Sequence, residues 1–123
     1  MLRRDFMKSA GSLALLPWLP AVGSFDHQAK SVDAAARKVI DDAGYGKYFI
    51  HRLGHGIGLE GHEAPYFAGN NKTILHPGMT LTVEPGIYFQ GEFGVRLEDD
   101  IVITENGGEL LTVRMEGIEP IAT

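Results

Sequence analysis

The chain contains no cysteine. A disulfide framework, a thiolate metal site and a cysteine nucleophile are therefore excluded, and any metal must be held by His, Asp or Glu. A basic run is also lacking. The first 23 residues hold three basic residues and one acid, so the remaining hundred carry eight basic against fifteen acidic residues, a balance of −7. Phosphate recognition needs clustered Lys and Arg, which speaks against nucleic acid or an anionic membrane as partner and favours cations and small substrates. No apolar stretch is long enough to cross a ~30 Å hydrocarbon core. With 123 residues the chain can build one small domain with a modest core. Its 44% hydrophobic and 22% charged content is that of a globular protein rather than a disordered or fibrous one.

The chain opens Leu2-Arg3-Arg4-Asp5-Phe6-Met7-Lys8, continues through an apolar stretch from Ala10 to Leu19 and reaches the small-residue run Ala21-Val22-Gly23. Paired arginines, a Phe two places on and a Lys before the apolar stretch resemble a bacterial twin-arginine export signal. That resemblance implies an address over residues 1–23, a body over residues 24–123, and a periplasmic or secreted location.

Beyond a polar linker to Lys30, Val32, Ala35, Ala36, Val39, Ile40 and Ala43 recur at helical spacing. Ser31 is expected to cap this helix and Gly44 to end it. Four segments rich in Ile, Val, Thr, Tyr and Phe then read as extended: 48–52, 80–88, 95–104 and 109–113. Turns are expected at Leu75-His76-Pro77-Gly78, at Gln90 to Gly94, and as a hairpin at Glu105-Asn106-Gly107-Gly108. The layout is α+β, one helix covering one face of an antiparallel sheet and leaving the other face for a site. Alternation puts Thr80, Thr82 and Glu84 on one face of their strand, and Arg96, Glu98 and Asp100 on one face of theirs. Pro85-Gly86 is expected to break the ladder directly after Glu84.

Three histidines fall within the glycine-rich stretch from His51 to Glu63. Glycine there lets backbone approach a ligand or bend sharply. Any one of these histidines alone reads as a surface or core residue. Taken with Glu84 and Glu98, an imidazole and two carboxylates suit a Mn, Co, Zn or Fe ion, and acids that share a face repel without a cation.

Gly54-His55-Gly56-Ile57-Gly58, His62-Glu63, Thr82-Val83-Glu84-Pro85-Gly86 and Arg96-Leu97-Glu98-Asp99 occur in that order. Together they resemble the pita-bread metallopeptidases, which include Xaa-Pro aminopeptidases, Xaa-Pro dipeptidases and methionine aminopeptidases, and the wording is closer to the Xaa-Pro branch. The resemblance runs from Ser31 to about Thr112 and implies the carboxy-terminal half of a pita-bread fold. It implies a peptide substrate containing proline and a divalent metal, Mn first, with Co, Zn or Fe as alternatives and two ions per site in the family. It further implies that His55 and Glu84 bind one metal and Glu98 bridges both, that His62 steadies the tetrahedral intermediate, and that His51 lines the substrate pocket. Arg96 would support the acidic cluster from beside Glu98, with Asp99 behind. Glu60 reads as a solubilising acid, Glu63 is more open, and Tyr66 and Phe67 divide between pocket wall and core.

The family's site also uses two upstream aspartates. Asp26, Asp33, Asp41 and Asp42 lie in the linker and helix, where the family has no ligands. His55, Glu84 and Glu98 are then left to hold one ion or none, and a partner chain or self-association would have to supply the missing half. The alternative to a working exopeptidase is a truncated, non-catalytic metal-binding remnant.

Overall fold

The computed structural model of the protein describes residues 27–113. Residues 1–23, expected to form an export signal, lie outside the described residues. Helix α1 (Ala29–Asp42) is followed by a short 3-10 turn (Gly46–Tyr48). Seven strands complete the chain: β1 (Gly54–Gly56), β2 (Glu63–Phe67), β3 (Thr80–Val83), β4 (Gly86–Phe89), β5 (Phe93–Arg96), β6 (Asp99–Thr104) and β7 (Gly107–Leu110). Five strands form one antiparallel sheet in the order β2-β1-β3-β6-β7, while β4 and β5 pair as a separate hairpin. The α+β layout of one helix packed on an antiparallel sheet is the one expected from the sequence.

The helix begins earlier than its apolar stripe, and Ser31 is not its cap. Gln28 occupies the N-cap position in extended geometry without a side-chain cap bond, and the Ser31 amide donates to the Gln28 carbonyl at 2.9 Å. The buried face is Ala29, Asp33, Ala36 and Ile40, whereas Ala35 and Ala43 are exposed. A count of apolar residues misplaces this face because Asp33, fully buried, belongs to it. Gly44, at φ +83°, turns the chain out of the helix, as glycine does after a helix end.

Segment 48–52 is not a strand. After the 3-10 turn the chain runs irregularly past α1, with Phe49 and Leu53 buried. The glycine-rich stretch, which is not among the segments expected to be extended, supplies β1. Close approach explains it: a Cβ on Gly54 would lie 1.9 Å from the Thr82 carbonyl oxygen, so only glycine lets the chain run this near β3.

Strands β3 and β6 pair Val83 with Asp99, and β4 and β5 pair Gly86 with Arg96. The two ladders therefore keep one register across an interruption at Glu84-Pro85 and Leu97-Glu98, closed by the Leu97 amide donating to the Pro85 carbonyl at 3.2 Å. Proline has no amide to donate, so the ladder breaks there as expected. The shared register places Glu84 and Glu98 opposite one another. The last hairpin turns over Glu105 and Asn106 alone, with Gly107 and Gly108 already in β7.

The core joins both layers. Ala36 and Ile40 from the helix meet Leu53, Phe67, Leu81, Ile101 and Ile103, all nearly or wholly buried.

Candidate functional site

His55 sits on β1, 4% exposed, and Glu84 follows β3, 8% exposed. Their side chains meet, with His55 Nε2 3.1 Å from Glu84 Oε1. The other ring nitrogen of His55, Nδ1, lies 2.8 Å from the Gly56 carbonyl oxygen. A carbonyl only accepts, so Nδ1 carries the proton in that bond. Nε2 thus faces a carboxylate oxygen with either a proton or a cation between them, because two lone pairs at this distance repel.

Thr82 holds both partners. Fully buried, its hydroxyl accepts the His55 amide at 3.1 Å and donates to Glu84 Oε1 at 2.9 Å. The Glu84 amide in turn donates to the Leu53 carbonyl at 2.8 Å. Backbone and side chain of the pair are thereby fixed from β1, β3 and the segment leading into β1.

His62 lies in the exposed β1–β2 loop with its ring centroid 4.1 Å from that of His55, the two rings inclined by 35°. One face of the His55 ring is thus covered by a second imidazole open to solvent. His51 donates from Nδ1 to the Arg52 carbonyl at 2.6 Å, which leaves Nε2 to face the Tyr88 hydroxyl at 3.2 Å. Gly86 makes room for this contact, since a Cβ there would lie 2.7 Å from the Tyr88 oxygen and 2.9 Å from His51 Nε2.

Arg96 is half exposed and stands 3.6 Å from Glu84 Oε2, so the acid beside it is Glu84 rather than Glu98. Glu98 is exposed and makes no hydrogen bond or ion pair among the described residues. Its neighbour Asp99 accepts from the Thr112 hydroxyl at 3.2 Å. The structure thus joins His55, Glu84, His62 and Arg96, places His51 with Tyr88, and leaves Glu98 opposite Glu84 in register. Among the described residues no group of three or more His, Asp or Glu side chains converges on a point where a metal could sit.

Of the open positions, Phe67 is core and fully buried, and Tyr66 lies half-buried under the Arg52 guanidinium, 4.2 Å from its ring centroid. Glu63 accepts the Glu60 amide at 3.3 Å and closes the loop between β1 and β2. Thr82, Tyr88, Asp33 and Arg37 have no site role in the sequence, where Thr82 is placed only by its strand face and Asp33 only by its helix. The first belongs to the same alternating face as Glu84, and that alternation was the available indication.

A model of metallopeptidase family M24 matches residues 21–105. The chain is 57% identical over 79 residues to an Xaa-Pro dipeptidase of Lactobacillus delbrueckii subsp. lactis, an alignment covering 64% of this chain and 22% of that protein. Among solved structures it is similar to the prolidase from Pyrococcus furiosus, with a TM-score of 0.81 and 42% identity over 91% of this chain and 33% of the other. It is also similar to dipeptidase PepE from Mycobacterium ulcerans, with a TM-score of 0.78 and 41% identity over 96% of this chain and 32% of the other. The chain spans about a quarter of the length of the curated relatives it matches. The fold shared with these structures is the pita-bread fold, of which the helix and antiparallel sheet form the carboxy-terminal half. Every residue of the candidate site, from His51 to Asp99, lies inside the matched segment, and the chain belongs to metallopeptidase family M24.

Proposed function

We propose that the chain serves a metal-dependent exopeptidase of the Xaa-Pro aminopeptidase or dipeptidase type, which hydrolyses peptide bonds next to proline. The observation that carries this reading is the buried contact between His55 Nε2 and Glu84 Oε1. Their 3.1 Å spacing suits two donors sharing one ion through bonds of ~2.0–2.2 Å. Glu98 is the next carboxylate in register, opposite Glu84 across the interruption between the two ladders. His55, Glu84 and Glu98 would hold the ion, Mn first, with Co, Zn or Fe as alternatives. When bound, such an ion lowers the pKa of water and polarises the scissile carbonyl.

The chain's own groups do the rest. Glu84 takes and returns the proton of the attacking water. His62, solvent-facing above His55, donates to the oxygen on which negative charge develops. His51 lines the substrate pocket, its ring held by Tyr88 and the Arg52 carbonyl. Arg96 offsets the charge of Glu84, weakly, since it is half exposed. Residues 1–23 would act as a twin-arginine address for a catalytic portion at residues 24–123, placing it in the periplasm or outside the cell, and a partner chain or second copy would complete the site.

A second reading follows from the absence of a third converging ligand among the described residues: a non-catalytic metal-binding remnant. Incubating the purified chain with an Xaa-Pro dipeptide and Mn²⁺ separates the two. Release of proline that disappears in Glu84→Ala supports the peptidase. Metal uptake without release supports the remnant, and absence of both removes the metal reading.

A further inference from the structure

We propose that Asp33 and Arg37 of helix α1 form a positioning pair, its carboxylate buried and its guanidinium partly so, that holds the segment carrying His51 and His55, and through it the backbone of Glu84, in the geometry the site requires. The metal part of this inference rests on the functional reading above. Asp33 is wholly buried, an uncommon position for a carboxylate. Arg37, one turn along the helix, grips it with two donors, Nε at 2.6 Å and Nη2 at 3.3 Å. An i, i+4 pair of this kind ordinarily lies on the helix surface and touches nothing else. This one faces inward and continues into the chain ahead of β1.

Arg37 Nη1 donates to the Phe49 carbonyl at 3.1 Å and Nη2 to the His51 carbonyl at 2.6 Å, while the second oxygen of Asp33 accepts the Leu53 amide at 3.0 Å. Positions 49, 51 and 53 recur every second residue, the repeat with which an extended chain presents backbone groups to one edge. Side chains of a helix thus satisfy an edge that a neighbouring strand would otherwise pair. The guanidinium also lies 4.4 Å over the Phe49 ring, which meets the His51 ring edge-on at 5.2 Å.

From Leu53 the path reaches the site in one step. Its carbonyl accepts the Glu84 amide at 2.8 Å, and His55 follows two residues along the chain. The pair therefore stands behind His51, His55 and Glu84 together without touching the space between them. An ion pair with one partner buried and the other partly exposed adds little net stability, so stability alone is a weak reason for one here. The fork of arginine, with its fixed donor directions, serves three acceptors at once, which a lysine ammonium on a flexible stem does not reproduce.

Two variants of the full chain test this. Arg37→Lys keeps the charge and removes the fork, and the double variant Asp33→Leu with Arg37→Met removes both charges so that neither is left buried alone. Each is followed by its thermal melt, by calorimetric titration with Zn²⁺, and by ¹⁵N spectra of the histidine rings, which report which nitrogen carries the proton. The expected result is a cooperative melt, Zn²⁺ binding weakened tenfold or more, and a His51 ring that changes from one Nδ1-protonated tautomer to a mixture. A folded variant with wild-type Zn²⁺ affinity and wild-type ring spectra would overturn the proposal, as would failure of both variants to fold, which makes the pair a determinant of folding only. If the unaltered chain takes up no Zn²⁺, the metal reading fails by itself, and the ring spectra alone decide for or against the positioning pair.

Discussion

On the helix side of the site, Asp33 is 0% and His55 4% exposed, and each polar atom named there has a partner; on the β5–β6 side, the Arg96 side chain is 50% exposed and Glu98 has neither hydrogen bond nor ion pair among the described residues. The first region is organised by contacts within the chain. The second has its place fixed by register but its side chains left open. A site assembled this way has one pre-formed half, His55 with Glu84, and one half whose side chains stay open to solvent. The comparison also separates two uses of charge. The charge pair of buried Asp33 and partly buried Arg37 bonds backbone, whereas the charge of Glu98 stays exposed.

Substitutions in the buried half should cost most. Gly54→Ala forces a methyl group against the Thr82 carbonyl, where a Cβ would stand 1.9 Å away, so β1 must leave β3. A loss of about 3 kcal/mol or more in urea unfolding is expected, and a stability near that of the original chain would break the contrast at its most constrained point. Thr82→Val removes the acceptor of the His55 amide and the donor to Glu84 while keeping the volume. Leaving the buried His55 amide unmet and taking one of the donors to Glu84 should cost ~1–3 kcal/mol, measured by the same unfolding. On the open side, Glu98→Gln should shift stability by less than ~0.5 kcal/mol, and a larger loss would show that its side chain is committed after all.

The smallest effect belongs to Lys38. Its ammonium bonds Asp42 at 2.7 Å on the outer face of α1, which raises its pKa above 10.5 through the hydrogen bond and then the charge of Asp42. With the folded value above the unfolded one, its contribution is intact at every pH below the unfolded value and fades only as pH climbs through the raised folded value. Lys38→Met should therefore leave the thermal midpoint unchanged at neutral pH to within the error of the melt, since fully exposed pairs contribute little.

What the sequence shows of this contrast is uneven, for physical reasons. Residues of types with specific chemistry, His55, Glu84 and Arg96, stand out because their identities and spacing repeat those of a family. The break at Pro85 is legible because a missing amide has one structural consequence. The buried face of α1 is only partly legible from apolar periodicity: Ala36 and Ile40 belong to the stripe, but Asp33 and Arg37 acquire their place only when the backbone groups at 49, 51 and 53 come within reach. Strand β1 is hidden for a related reason. Glycine disfavours a strand by intrinsic preference, and only the tertiary approach to Thr82 reverses that preference at Gly54. Opposition of Glu84 to Glu98 needs the register of two separate ladders, which alternation along a single strand does not supply.

Calorimetric titration of Mn²⁺ into the purified chain, beside Glu84→Ala and Glu98→Ala, tests the division most directly. A pre-formed half with an open half predicts one ion per chain, abolished in Glu84→Ala and weakened by about tenfold, ~1.4 kcal/mol, in Glu98→Ala. Binding that survives Glu84→Ala, or that is lost to the same degree in both variants, would contradict it.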